Sequence, residues 1–245
     1  MIVALALLAV VAGAALQRIT GLGFALVSAP FLVLLLGPFD GVVVANAGGA
    51  LSSLLLLVRL RDMIDWHRFR YLTAGALVGT IPGAWVALTV ADRVLDIGIG
   101  LAVVLGMSAS FLAARLGTMS GRAPMLAFGG ASGFMNVTAG VGGPALSVYG
   151  VASRWSQLSF AATLQPVFLV MGLVSLAVKG VGAPEAFAAL GWSVWLGVAV
   201  AVLLGLAVGT VLARRVGPAK ARVVVIVMAY AGGAATLLRG LLAGA

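Results

Sequence analysis

The sequence predicts an all-α membrane protein of about ten hydrophobic helical segments. They form two inverted five-segment repeats, each opening on short broken helices or a re-entrant hairpin. Three observations lead there. The first is composition: of 245 residues, 63% are hydrophobic and 9% charged, where a soluble domain keeps about a quarter charged. With a mean hydropathy of +1.22, the chain cannot cover a water-facing surface. The second is the recurrence of apolar runs of about 20 residues, each long enough to cross a hydrocarbon core of roughly 30 Å. The third is an internal repetition at a fixed offset.

Glycine, proline and charge divide the chain into segments at 1–19, 22–36, 40–60, 68–91, 94–114, 123–138, 142–153, 156–179, 185–213 and 219–243. Lipid contact requires each to satisfy its own backbone, which leaves a helix or a closed barrel. Barrel strands alternate apolar and polar residues over about ten positions, and these runs do not. The start, Met1-Ile2-Val3-Ala4-Leu5, lacks the basic region of a signal peptide and reads as a retained membrane segment. If the segments alternate direction, one side receives Arg59, Arg61, Arg68, Arg70, Arg115, Arg122, Arg154, Arg214, Arg215, Lys220 and Arg222. The other receives Arg93, Lys179 and Arg239, with Arg18 at the first interruption. The positive-inside rule makes the basic side cytoplasmic and puts both termini outside. Trp66 and Trp155 fall beside cytoplasmic arginines, as interfacial rings do. The expected location is a bacterial plasma (inner) membrane.

A shift of 119 residues lays Gln17-Arg18-Ile19-Thr20-Gly21-Leu22-Gly23 over Asn136-Val137-Thr138-Ala139-Gly140-Val141-Gly142, and Asn46 over Gln165. Gly79 and Gly83 correspond to Gly205 and Gly209 at a shift of 126, so the linkers differ in length. The expected division is a first repeat over 1–118 and a second over 119–245. Five segments per half makes the copies inverted, a common design of secondary transporters.

Segment length points to the candidate site. Residues 142–153 give a helix of about 18 Å, too short to span, and 123–138 and 22–36 are also short. Each short pair meets at a glycine-rich break. The economical reading is two helical hairpins, Met1–Leu36 and Ala123–Ser153, entering from opposite faces with their tips near the midplane. The helices starting at Leu22 and Gly142 would then aim free N–H groups and positive dipole ends at a polar cavity, which favours an anion. Arg18 is costly in lipid and is expected to face that cavity, where its planar fork suits an oxyanion. Alternatively it anchors the cytoplasmic end of a fully spanning segment. Gln17, Thr20, Asn46, Asn136, Thr138 and Gln165 either line the cavity or join helices by hydrogen bonds. Gly21, Gly23, Gly140, Gly142 and Gly143 bring backbone to a ligand or make the turns. Gly75-x3-Gly79-x3-Gly83 and Gly205-x3-Gly209 read as close helix packing.

Other classes are excluded by what the sequence lacks. Asp40, Asp62, Asp65, Asp92, Asp96 and Glu185 all lie at or near segment ends, so no carboxylate is placed mid-membrane as a proton relay or sodium ligand. His67, the one histidine, falls in a loop. There is no cysteine, P-loop, zinc motif or Ser/His/Asp set. The chain is therefore read as no enzyme, with no cofactor and no metal. Its net charge of +9 sits in loops and does not point to nucleic acid. The partners are a small anionic solute and the lipid bilayer; a homo-oligomer is compatible with the sequence.

Gly21-Leu22-Gly23-Phe24-Ala25-Leu26-Val27-Ser28-Ala29-Pro30 and Gly140-Val141-Gly142-Gly143-Pro144, each followed by a polar-containing helix, resemble the TauE/SafE family of sulfite-exporter-like membrane transporters. Length and duplicated architecture are similar over essentially the whole chain. The resemblance implies movement of sulfur-containing or organic anions such as sulfite or sulfonates. The expected function is secondary transport of such an anion, in the export direction, by alternating access. Transport of another small solute and a non-transporting membrane scaffold or assembly factor are the alternatives.

Overall fold

The computed structural model describes residues 1–113 and 118–243, whose regular structure is helical, with no strand among them. The helices are α1 (Ile2–Thr20), α2 (Phe24–Leu36), α3 (Pro38–Leu60), α4 (Trp66–Thr89), α5 (Asp92–Leu112) and α6 (Arg122–Ala139). They continue with α7 (Gly143–Ala152), α8 (Gln157–Gly182), the short α9 (Pro184–Ala189), α10 (Trp192–Leu212) and α11 (Pro218–Leu242). A 3-10 turn, Arg61–Met63, follows α3. Arg115 lies outside the described residues.

Among the described residues, seven helices are long and apolar enough to cross a membrane: α1, α3 with its 3-10 turn, α4, α5, α8, α10 and α11. The arms of the two hairpins are unequal. α1 has 19 residues and α2 has 13; α6 has 18 and α7 has 10. The first arm thus has the length to cross alone, as the alternative of a fully spanning first segment requires. The single run expected at 185–213 is also divided. Pro184 starts α9, and the backbone leaves helical geometry at Leu190 (ψ 88°) and Gly191 (ψ 156°) before α10. Apolar composition runs through this break, which is why hydropathy does not register it.

Helix pairing follows the small residues. Along the α4–α6 seam, a Cβ on Gly75 would lie 2.2 Å from the carbonyl oxygen of Leu126, and one on Gly79 would lie 1.9 Å from that of Gly130. From the other side, Gly129 and Gly133 meet the carbonyls of Leu72 and Ala76 at 2.2 and 2.0 Å. No side chain fits there, so the backbones touch. Gly205 and Gly209 of α10 approach the Val11 and Ala15 carbonyls of α1 at 2.5 and 2.6 Å in the same sense. Beyond these seams, α3 packs on α8, α5 on α11, α2 on α11 and α7 on α5.

Candidate functional site

The two glycine breaks are built alike. α1 ends at Gly21 (φ 76°), whose N–H bonds the Gln17 carbonyl at 2.7 Å. α6 ends at Gly140 (φ 68°), whose N–H bonds the Asn136 carbonyl at 2.9 Å. A side chain is strained at either φ, so glycine ends both helices. The chain restarts as α2 behind Gly23 and as α7 behind Gly142, and neither N-cap is filled by a side chain. Gly23 and the stretch Gly140–Gly143 are buried in the bundle.

Four carboxamides meet beside these breaks in two pairs. Gln17 Nε2 donates to Gln165 Oε1 at 3.1 Å and to Ser53 Oγ at 3.2 Å, while Ser52 Oγ donates to Gln17 Oε1 at 2.7 Å. Asn136 Nδ2 donates to Asn46 Oδ1 at 2.7 Å, and Asn46 Nδ2 donates to the Asn136 and Val42 carbonyls at 3.3 and 3.0 Å. Gln165 Nε2 reaches the Gly21 carbonyl at 3.1 Å and Ala161 at 2.7 Å, tying α8 to the first break. All four side chains are at most 6% exposed. In lipid-like surroundings an unpaired amide is expensive, which accounts for this mutual satisfaction.

Between the pairs lies a cavity of about 30 Å³, room for roughly two waters at about 10–15 Å³ each. Gln17, Ser53, Asn46 and Asn136 line it, together with the first turn of α2 (Gly23–Leu26) and Gly140 and Gly143 of the second break. Asn46 stands eight residues into α3, about 12 Å from its start, so the cavity lies well inside the bundle. Among the described residues, no charged side chain lines it. Its polarity comes from amides, a serine hydroxyl and the amino ends of α2 and α7, whose first-turn N–H groups and dipoles favour negative charge.

Each short helix also has an arginine at its far end. Arg239 donates to the α2 carbonyls of Val33 and Leu34 at 2.9 and 3.1 Å and is ion-paired with buried Asp96. Arg68 bonds Ser153, just past α7, at 3.3 Å, pairs with Asp65 at 3.3 Å and stacks 4.3 Å from the Trp155 ring centroid. A cation at the carboxyl end complements the helix dipole.

Several residues expected at the cavity sit elsewhere. Arg18 bonds Thr210 at 3.2 Å and faces a groove between α1, α3 and α10 that also contains Arg59. Successive helical residues point about 100° apart, so with Gln17 turned toward α3 and α8, Arg18 turns toward α10. Thr20 and Thr138 bond the carbonyls four residues back, Leu16 and Phe134, at 2.8 and 2.7 Å. Gly21 contributes its carbonyl to Gln165, and Gly142 accepts from Ser132 Oγ at 2.8 Å. Ser52, Ser53 and Ser132 complete the network although nothing marks them in the sequence beyond helical spacing. Ser53 lies seven residues after Asn46, and Ser132 four before Asn136.

These features define a polytopic helical membrane protein whose two broken-helix tips converge on a buried, uncharged polar cavity. The family model described as Sulfite exporter TauE/SafE matches residues 5–236, and the chain belongs to that family of membrane transporters. Among curated proteins and among solved structures, no similar chain is found.

Proposed function

We propose that the chain is a secondary transporter that exports a small anion, sulfite or a related sulfonate or organic anion, across the plasma membrane by alternating access. The observation that carries this reading is the cavity between the two helix amino ends. It presents donors to an oxyanion and no carboxylate to repel one. Gln17, Asn46 and Asn136, with the backbone at Gly23 and Gly143, form the binding set, and Gln165 holds Gln17 in place from outside the cavity lining. At about 30 Å³ the cavity is too small for a sulfite-sized ion, which enters when the surrounding helices part.

The two halves, 1–118 and 119–245, act as inverted repeats in this reading. Gly21/Gly140, Gln17/Asn136 and Asn46/Gln165 share one offset. Exchanging α1 with α6, α2 with α7, α4 with α10 and α5 with α11 turns the α1–α10 and α2–α11 packings into α6–α4 and α7–α5. Such a pair of halves rocks about a midplane site. A second reading, a scaffold whose amides only join helices, is favoured by the complete pairing of the Gln17 and Asn46 amide donors within the protein.

Flux of sulfite in proteoliposomes separates the two. The transporter gives saturable flux that Asn46→Ala and Asn136→Ala reduce at least about tenfold, a loss of roughly 1.4 kcal/mol of stabilisation. Wild-type protein that is folded and passes no sulfite or sulfonate would leave the scaffold standing.

A further inference from the structure

We propose that the recess beside Arg222 is an anteroom to the amide cavity: an electropositive waiting site for a small oxyanion on the basic face, shut off by Leu22 and Leu26. The inference rests on the transporter reading. The recess, about 310 Å³, lies between the carboxyl ends of α5 and α7 and the first turns of α11, with Ser110, Ser147 and Arg222 among its walls. Leu22 and Leu26 line both this recess and the amide cavity, so these two side chains form the partition.

The partition closes where the hairpin tips touch. A Cβ on Gly143, at the second tip, would lie 3.4 Å from Leu22 Cδ1 and 3.7 Å from Leu26 Cγ. Leu22 belongs to no helix; it sits in the break between Gly21 and Gly23. Rotation of that short link swings it aside without unwinding α1 or α2, so Leu22 is the moving part and Leu26, at 3% exposure, the fixed one.

Charge explains what would wait there. Among the described residues, Arg222 is the one charged side chain in the recess and has no carboxylate partner. Arg222 itself is exposed and the remaining wall is mostly apolar, so its charge marks the mouth of the recess for an anion. The fork of a guanidinium matches an oxyanion. Beyond the partition the anion meets the first-turn N–H groups of α2.

The chain has no cysteine, so single introduced thiols report access without background. In vesicles with the basic loops facing the bath, Ser110→Cys should react about tenfold faster with a sulfonate-bearing thiosulfonate than with its quaternary-ammonium analogue. Adding Arg222→Gln should remove most of that preference. Gly49→Cys, whose Cβ would have only ordinary contact with Phe24 at 3.4 Å, lies in the cavity and should stay protected. Adding Leu22→Ala should expose it, whereas Leu22→Met should preserve protection. Equal rates for the two reagents, or a preference indifferent to Arg222→Gln, would overturn the anteroom. A Gly49→Cys thiol that reacts regardless of Leu22 would overturn the partition. None of these readouts uses sulfite flux, so failure of the transporter reading appears separately, as a folded wild type without flux.

Discussion

A buried carboxamide needs both its donor and its acceptor filled, and Gln17 does this across three helices through Ser52, Ser53 and Gln165. Gln17→Ala would strand those partners in a dry interior at about 1–3 kcal/mol, seen as a lower melting temperature in detergent together with weaker sulfite binding. Arg18→Ala should lower stability slightly and leave sulfite affinity intact, because its guanidinium bonds Thr210 away from the cavity. A large loss of affinity in that variant would place Arg18 on the ligand. The four amides were legible because they recur at one offset in an apolar chain. The serines were not, since a serine in a membrane helix usually satisfies itself on its own backbone. The misplacement of Arg18 has a plain cause: hydropathy places a charge along a helix and says nothing about which way it turns.

Among the elements, the α4–α6 seam depends most on particular residues. Gly79→Ala would put a methyl group 1.9 Å from the Gly130 carbonyl, and Gly133→Ala one 2.0 Å from the Ala76 carbonyl. The backbones must separate, at about 1–3 kcal/mol for each substitution, and thermal denaturation should show both variants melting well below wild type. Gly98→Ala is the control: nothing lies within 4 Å of its Cβ. There the gain in helix propensity, about 1 kcal/mol, should leave stability unchanged or raised. The spacing Gly75-x3-Gly79-x3-Gly83 pointed to close packing, and the structure identifies the partner as α6. Element ends were read closely wherever glycine or proline marks them, as at Gly21, Pro38, Gly140 and Pro218. The split at Leu190–Gly191 escaped because both sides of it are equally apolar.

At the scale of the molecule, the proposed anion transport through a cavity between helix amino ends would make the anion's own charge the quantity that moves. A membrane potential then contributes about 2.3 kcal/mol per charge per 100 mV, and in a cell it drives anions outward. Sulfite efflux from proteoliposomes should therefore rise when a potassium gradient with valinomycin makes the lumen negative, and fall when the gradient is reversed. Flux indifferent to voltage would mean that a proton or another co-ion travels with the substrate and cancels its charge.

Composition by itself determined that the chain is a helical membrane protein, and glycine, proline and charge placed most of its segments. The reason is that the bilayer imposes its conditions locally: each stretch must bury its own backbone polarity, whatever its neighbours do. The repeated offset likewise marked the two breaks and the four amides. Tertiary structure decided which side of each helix faces inward, that Gln17 and not Arg18 joins the cavity, and which serines complete the network. It also decided that Leu22 and Leu26 line both the cavity and the recess that holds Arg222. Those outcomes depend on helix rotation and on partners up to 192 residues apart, which no local pattern encodes.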